Sequence, residues 1–252
     1  MSLVETESLI LKSYNLAEAD KIVVLLTHDH GVVRGVAKGA KRLNSKFGSG
    51  LEPFSIVRVT YFQKEVRELV SIQKVELVRS YFAAASRPDF FEKFAYLADI
   101  LIASSPPHDP NETLYRMVKA CLQTAEDAGG SLAAIGVYFE LWLLRLGGYL
   151  PDWSTCENCG RGLEQDEVAN VQSSFHLLCQ NCRRTSGAWT VNAIHRDIFA
   201  SARNLSPVDF VSKFNPYPRE LAELSGTLKR LISQSIGRDV VSERVSMTYN
   251  AI

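Results

Sequence analysis

No charge of either sign dominates this chain: 28 Lys and Arg balance 28 Asp and Glu over 252 residues. The balance excludes a molecule that engages polyanions through its whole surface, so any nucleic-acid contact has to come from local asymmetry. Long apolar runs are also missing. None approaches the roughly 18 residues of a membrane-spanning helix, and no membrane partner is expected. The opening MSLVETESL is acidic and no apolar stretch with a small-residue cleavage site follows, so no secretory leader is expected and the cytoplasm is the expected location. The signatures of common catalytic scaffolds are absent. There is no P-loop, no dinucleotide fingerprint, no His-Glu-x-x-His and no Gly-x-Ser-x-Gly. The zinc deaminase pattern requires His-x-Glu followed by Pro-Cys-x-x-Cys, but Thr155 precedes Cys156 and no upstream His-x-Glu exists. An enzyme is therefore not expected.

Cysteine is scarce, at five residues, yet four of them are ordered in a pattern. Cys156 and Cys159 form one Cys-x-x-Cys pair, Cys179 and Cys182 a second. Two knuckles supply four thiolates, which matches the closed tetrahedral coordination of one structural Zn²⁺ per chain. A closed site leaves no open position for water or substrate, which argues against metal-dependent catalysis. His176, three residues before Cys179, is read as a non-ligand because four sulfurs already complete the set. Cys121, in the apolar-rich segment MVKACLQTA, is read as a small buried hydrophobe.

Residues 1–80 read as strands: Ser8–Ser13, Lys21–Thr27, Gly31–Ala37, Phe54–Phe62 and Glu68–Val78, separated by turn signals such as His28-Asp29-His30-Gly31. Five short strands in about eighty residues suggest a small closed or nearly closed barrel. Along Ile56–Phe62 both alternation registers contain apolar groups, so the core face is not assigned. After residue 80 the period becomes helical, with Phe90, Phe91, Phe94, Leu97, Ala98 and Leu101 on one face. The segment Ser105–Pro110 ends that helix, and Asn111 is placed to cap the next, which runs to about Asp127. Gly129-Gly130 punctuates, and Ser131 is placed to cap a third that carries Tyr138, Phe139, Leu141, Trp142, Leu143 and Leu144 before Gly147-Gly148. The cysteines occupy an insert at 149–190 with too few apolar residues to order itself, so metal ligation is expected to supply the missing stability. Helical segments follow at about 192–203 and 217–236, with Pro207, Pro216 and Pro218 breaking the region between them. The fold class is thus α+β and multidomain: a barrel domain at 1–80, and a helical domain at 81–252 interrupted by the insert.

Against the neutral whole, one stretch is basic. Arg34, Lys38, Lys41, Arg42 and Lys46 fall within thirteen residues, with no acid between Asp29 and Glu52, and Phe47 beside them. This reads as a flexible basic loop joining barrel strands, able to track a phosphate backbone while an exposed Phe47 stacks on a base. Arg58, Lys64, Arg67, Lys74 and Arg79 continue the basic character. Residues 1–80 nevertheless carry twelve basic against nine acidic side chains, so the local excess is modest. Arg161, Arg183 and Arg184 flank the cysteines and read as a solvated rim, with nucleic-acid contact as the alternative. His28, Asp29 and His30 read as a polar turn.

The stretches TESLILKSYNLAEADKIVVLLTHDHGVVRGVAKGAKR and SKFGSGLEPFSIVRVTYF, with Lys38–Ala40, Leu51–Phe54 and the cysteine pairs after Leu146–Pro151, resemble the bacterial recombination mediator family RecO. The resemblance spans most of the chain and is strongest over 5–80 and 138–183. It implies an N-terminal OB-fold, an all-helical domain with a zinc-finger insert, and a non-enzymatic role in DNA repair. It also implies partners: single- and double-stranded DNA, the C-terminal tail of the single-strand-binding protein, RecR and, indirectly, RecA. The competing reading is a protein adaptor that grips its partner with the helical bundle around Tyr138–Trp142, DNA contact being secondary.

Overall fold

The computed structural model describes residues 2–63, 68–127, 131–183 and 189–237. These residues form two compact units, one ending at Asp127 and the other beginning at Ser131.

The first unit opens with five strands: β1 (Ser2–Leu16), β2 (Asp20–Thr27), β3 (Gly31–Ala37), β4 (Ile56–Gln63) and β5 (Leu69–Arg79). They close into an OB-like barrel in the order β1-β2-β3-β5-β4. Closure works because β1 is long enough to serve two partners. Its first half pairs with β4, from Ser2↔Gln63 to Leu9↔Ile56, and its second half with β2, from Ser8↔Thr27 to Leu16↔Asp20. A bulge between Ile10 and Lys12 lets the strand bend from one partner to the other. The seam is completed by a short parallel pairing of β3 with β5 at Arg34↔Leu69, Gly35↔Val70 and Val36↔Ser71.

The barrel interior settles the register of β4. Val57, Val59 and Tyr61 point inward, while Arg58 and Phe62 are exposed. They meet Ile10, Val23, Leu25, Val33, Val70 and Ile72 in one core. Two further members come from the β3–β4 connection: Phe47 and Leu51, at 3% and 2% exposure.

Three helices pack into the same unit: α1 (Phe82–Ala85), α2 (Pro88–Ser104) and α3 (Glu112–Asp127). Phe54 of the barrel meets Phe90, Phe91 and Phe94 of α2, with ring centroids 5.9–6.2 Å apart. Asn111 caps α3 as its position suggests, its Oδ1 accepting from Leu114 N–H at 2.9 Å. The chain before α3 runs against the β2–β3 turn, where His108 N–H donates to Val32 C=O at 3.2 Å. Gly31 sits there with φ +64°, and a Cβ would lie 2.1 Å from the Asp109 carbonyl oxygen, so both conformation and space demand glycine. Glu7 of β1 fastens α3: its carboxylate accepts from Tyr115 Oη at 2.8 Å and Lys119 Nζ at 2.6 Å. Burial pushes Glu7 up, but these donors outweigh it and hold its carboxyl below the usual range.

The second unit is built on α4 (Leu132–Leu146), capped by Ser131, whose side chain accepts from Ala134 N–H at 3.3 Å. Its apolar surface is so wide that residues 134–141 are all buried, and it packs against α6 (Pro207–Phe214) and α7 (Pro218–Ile236). Between them lie a small three-stranded sheet, β6 (Ala169–Val171), β7 (Leu177–Leu178) and β8 (Thr190–Val191), and helix α5 (Ala193–Ser201). Helix α6 departs from the sequence expectation, which takes Pro207 as a breaker. Pro207 instead occupies the first turn, where its missing N–H costs nothing, and the Ser206 side chain accepts from Asp209 N–H. Pro218 starts α7 in the same way, and Gly237 at φ +64° ends it. The adaptor face expected around Tyr138–Trp142 is spent inside the fold: Tyr138 packs on Phe210 at 5.2 Å, and Phe139 and Leu141 are fully buried.

Phe47→Ala should remove the core contact that anchors the β3–β4 connection and lower stability by about 3–5 kcal/mol. All three tryptophans lie beyond residue 130, so far-UV circular dichroism in urea should show an early transition that tryptophan fluorescence does not. The depressed Glu7 favours the folded state above its unfolded value of about 4.5, and that contribution is lost as pH falls through the folded value. Glu7→Gln should therefore flatten the acid limb of the urea midpoint against pH. An acid limb identical to that of the parent would show that Glu7 gains nothing on folding.

Candidate metal centre and nucleic-acid interface

The four paired cysteines converge. Their Sγ atoms all lie within 4.8 Å of one another, and Cys159 Sγ is 3.9 Å from Cys179 Sγ. Tetrahedral thiolate coordination at a metal–sulfur distance of about 2.3 Å requires sulfurs about 3.8 Å apart, so the set fits a tetrahedral metal. Each pair sits on a tight turn. Gly160 N–H donates to Cys156 C=O at 2.8 Å, with Gly160 at φ +70°, and Cys182 N–H donates to Cys179 C=O at 3.1 Å. Glu157 N–H donates to Leu177 C=O at 2.9 Å, which registers the first turn against β7.

The sulfurs sit among donors suited to thiolates. Cys179 N–H points at Cys156 Sγ at 3.4 Å, and Asn158 Nδ2 at Cys182 Sγ at 3.3 Å. Burial pushes the Cys156 thiol up, but backbone N–H groups of Cys179, Cys159 and Asn158 outweigh it and bring it down to about 6. Cys182 goes the other way. The Asn158 amide favours its thiolate, yet the crowded sulfurs of Cys179, Cys159 and Cys156, with burial, push it up to about 11. Four negative sulfurs in contact repel one another, so full ionisation needs a cation at their centre.

An outer shell holds the turns. Arg161, flanking Cys159, donates to Glu167 Oε1 at 2.5 Å, and Glu167 also accepts from Gln180 N–H at 3.2 Å. Arg161 is thus engaged within the lobe as part of its structure. His176 Nδ1 faces Glu157 at 3.5 Å, away from the sulfur cluster. Arg184 lies outside the described residues, as do Lys64, Arg67 and Gly129-Gly130. The lobe also carries a small aromatic core that the sequence reading overlooked. Trp153 is buried, stacks on Phe199 of α5 at 4.1 Å and 10°, and donates from Nε1 to Phe175 C=O at 2.9 Å. A tryptophan flanked by aspartate and serine shows no periodicity, so no local signal marked it.

The basic residues behave differently from the expectation at one position. Arg34 on β3 and Lys38, Lys41, Arg42 and Lys46 in the connection are all exposed. Among the described residues none of the five has a carboxylate within ion-pair distance; Lys41 Nζ lies 3.4 Å from the Ala17 carbonyl oxygen. Their basic neighbours are paired: Arg58 with Glu5 at 4.0 Å, Lys74 with Glu76 at 2.5 Å, Arg79 with Glu126 at 2.6 Å. Phe47 is the correction. The ring expected to be an exposed stacking surface is inserted in the barrel core, because an unpaired aromatic gains more from burial than from water, and it is closed to a base. Nor does the connection hang free. Lys41 N–H donates to Ala19 C=O at 2.9 Å, Gly39 N–H to Asp20 Oδ1 at 2.8 Å, and successive turns follow at Arg42, Ser45, Gly48 and Gly50. Burial of Phe47 and these bonds leave the lysines and arginines as the exposed functional groups of the segment. His28, Asp29 and His30 form the polar turn anticipated, with His28 Nδ1 2.6 Å from Asp29 and Asp29 accepting from Thr6 Oγ1 at 2.9 Å. Cys121 is fully buried, and burial pushes its thiol up.

Among the described residues no helix is long and apolar enough to cross a membrane. The family model described as "Recombination protein O N terminal" matches residues 1–81, and that described as "Recombination protein O C terminal" matches residues 94–244. A DNA repair protein RecO of Koribacter versatilis is 28% identical over 249 residues, 97% of this chain and 96% of its own length. One of Rubrobacter xylanophilus is 33% identical over 186 residues, 73% of each chain. One of Geobacter metallireducens is 31% identical over 184 residues, 73% of this chain and 74% of its own.

Cys156→Ser should release the metal and loosen the Trp153 environment. Elemental analysis should find bound metal falling from one per chain to near none, with tryptophan emission shifted to the red. Unchanged metal stoichiometry would contradict the ligand assignment.

Proposed function

The chain belongs to the RecO family of non-enzymatic recombination mediators, and we propose that its barrel holds DNA through the five exposed, unpaired cations Arg34, Lys38, Lys41, Arg42 and Lys46. The observation that carries this reading is the sorting of charge on the barrel. Arg58, Lys74 and Arg79 each have an acid within ion-pair distance, whereas among the described residues these five face solvent with none. Unpaired cations on an anchored segment neutralise phosphates and release counterions at little ordering cost. Contact to phosphate carries no base preference, so both single and double strands are accommodated. Lowering the repulsion between two phosphate backbones also favours annealing of complementary strands. In this proposal residues 1–80 are the DNA-binding domain and residues 81–252 the helical domain, interrupted by the 149–190 insert.

The four-thiolate site is proposed to take one structural Zn²⁺ held by Cys156, Cys159, Cys179 and Cys182. Bound zinc supplies stability to a lobe of few apolar residues, and the closed sulfur set leaves it no position for catalysis. The proposed partners are the C-terminal tail of the single-strand-binding protein and RecR, through which RecA is loaded on coated DNA in the bacterial cytoplasm.

Fluorescence anisotropy of a labelled single strand across a salt series tests the DNA-binding reading. The five barrel contacts contribute about −3.5 to the log–log slope, at ~0.7 per contact. Reversing Lys38, Lys41 and Arg42 to Glu should abolish binding while circular dichroism and metal content stay unchanged. Survival of the parent affinity in that variant would remove the segment from the DNA interface.

A further inference from the structure

A second concentration of unpaired cations lies in the unit that begins at Ser131. A cleft of about 780 Å³ opens between the end of α4, the start of the cysteine lobe and α5, lined by Arg145, Arg196 and Arg203 with one carboxylate, Asp152. No ion pair joins these four among the described residues. Asp152 is satisfied locally, accepting from Ser154 N–H at 2.8 Å and Ser154 Oγ at 2.7 Å. Arg196 is spent on the fold: its Nη2 donates to the carbonyls of Glu164, Gln165 and Glu167 at 2.5, 2.7 and 2.9 Å. Among the described residues the side chains of Arg145 and Arg203 have no acceptor, neither a carboxylate nor a carbonyl. Arg145 Nη1 is shielded from water and lacks a hydrogen-bond partner.

Both arginines are mounted by one indole. The Arg145 guanidinium lies 5.4 Å from the Trp142 ring centroid, and Trp142 Nε1 donates at 2.8 Å to Ala202 C=O, immediately before Arg203. Tyr138 Oη adds a second tie, to Leu205 C=O at 3.0 Å. A fixed pair of like charges is unfavourable in isolation. Burial lowers the Arg145 guanidinium and the neighbouring Arg203 lowers it further, so an anion between them would relieve both costs. A guanidinium fork pairs bidentately with carboxylate and phosphate alike, and a phosphate, with several oxygens, can be shared by two forks that line one cleft.

We propose that this cleft binds phosphate groups of a nucleic-acid strand through Arg145 and Arg203, giving the protein a DNA contact separate from the barrel cations. The inference rests on the reading that the chain binds DNA, and its test is arranged to fail separately. The full chain, Arg145→Gln/Arg203→Gln and the barrel variant with Lys38, Lys41 and Arg42 reversed are compared by anisotropy of labelled oligothymidylate across a chloride series. The cleft variant should lose about 1.4 from the magnitude of the log–log slope, two phosphates at ~0.7 each. Arg203→Gln alone, at an exposed side chain, should lose about 0.7 and serves if the double variant folds poorly. Arg145→Lys/Arg203→Lys keeps the charges and should restore most of the slope. An unchanged slope and affinity in the cleft variant overturns the proposal, leaving the arginines as charges that serve only the fold of this unit. So does an unchanged slope accompanied by lost binding of a polyaspartate peptide, or by lost protection by inorganic phosphate against chloride at matched ionic strength. Loss of binding only in the barrel variant removes the cleft and keeps the barrel. A slope change only in the cleft variant does the reverse.

Discussion

Closure of the N-terminal barrel depends on β1 pairing with β4 along its first half and with β2 along its second, with the bend at Ile10–Lys12 between them. Once closed, the barrel has an interior to fill, and Phe47 and Leu51 enter it from the β3–β4 connection. That insertion decides how the functional surface is presented. A connection pinned at Phe47, at Gly39 and at Lys41 cannot collapse onto nearby acids, so its lysines and arginines stay in water. The same ring that was a candidate for touching DNA instead determines where the exposed charges of the connection stand.

Charge in this protein is sorted rather than accumulated. A net charge of zero conceals two classes of cation: those paired inside the fold, such as Arg79 with Glu126 and Lys119 with Glu7, and those left unpaired at the barrel connection and in the Arg145–Arg203 cleft. Paired cations near a surface add little stability. Unpaired ones create local fields without raising the net charge, consistent with contact to DNA that is local and strongly salt-dependent. The cysteine lobe applies the same electrostatics in reverse. Backbone N–H groups bring the Cys156 thiol down to about 6 while the neighbouring sulfurs push Cys182 up to about 11, and a central cation removes that conflict.

The cysteine spacing, the switch from period two to a helical period near residue 80, and the caps at Asn111 and Ser131 are local signals. Each concerns residues a few positions apart, so the chain alone determined the four-cysteine cluster, the barrel-then-helix order and the membership in a mediator family. Tertiary structure decided the rest, for a common reason: burial and pairing depend on neighbours distant in sequence. Phe47 reads as exposed among lysines until the barrel it fills exists. Arg161 reads as a free cation until Glu167 folds against it. Pro207 reads as a break until Ser206 and the packing of Phe210 on α4 make it a helix start. Arg145 and Arg203 stand 58 positions apart, and the ties of Trp142 and Tyr138 to the segment after α5 bring them to one cleft.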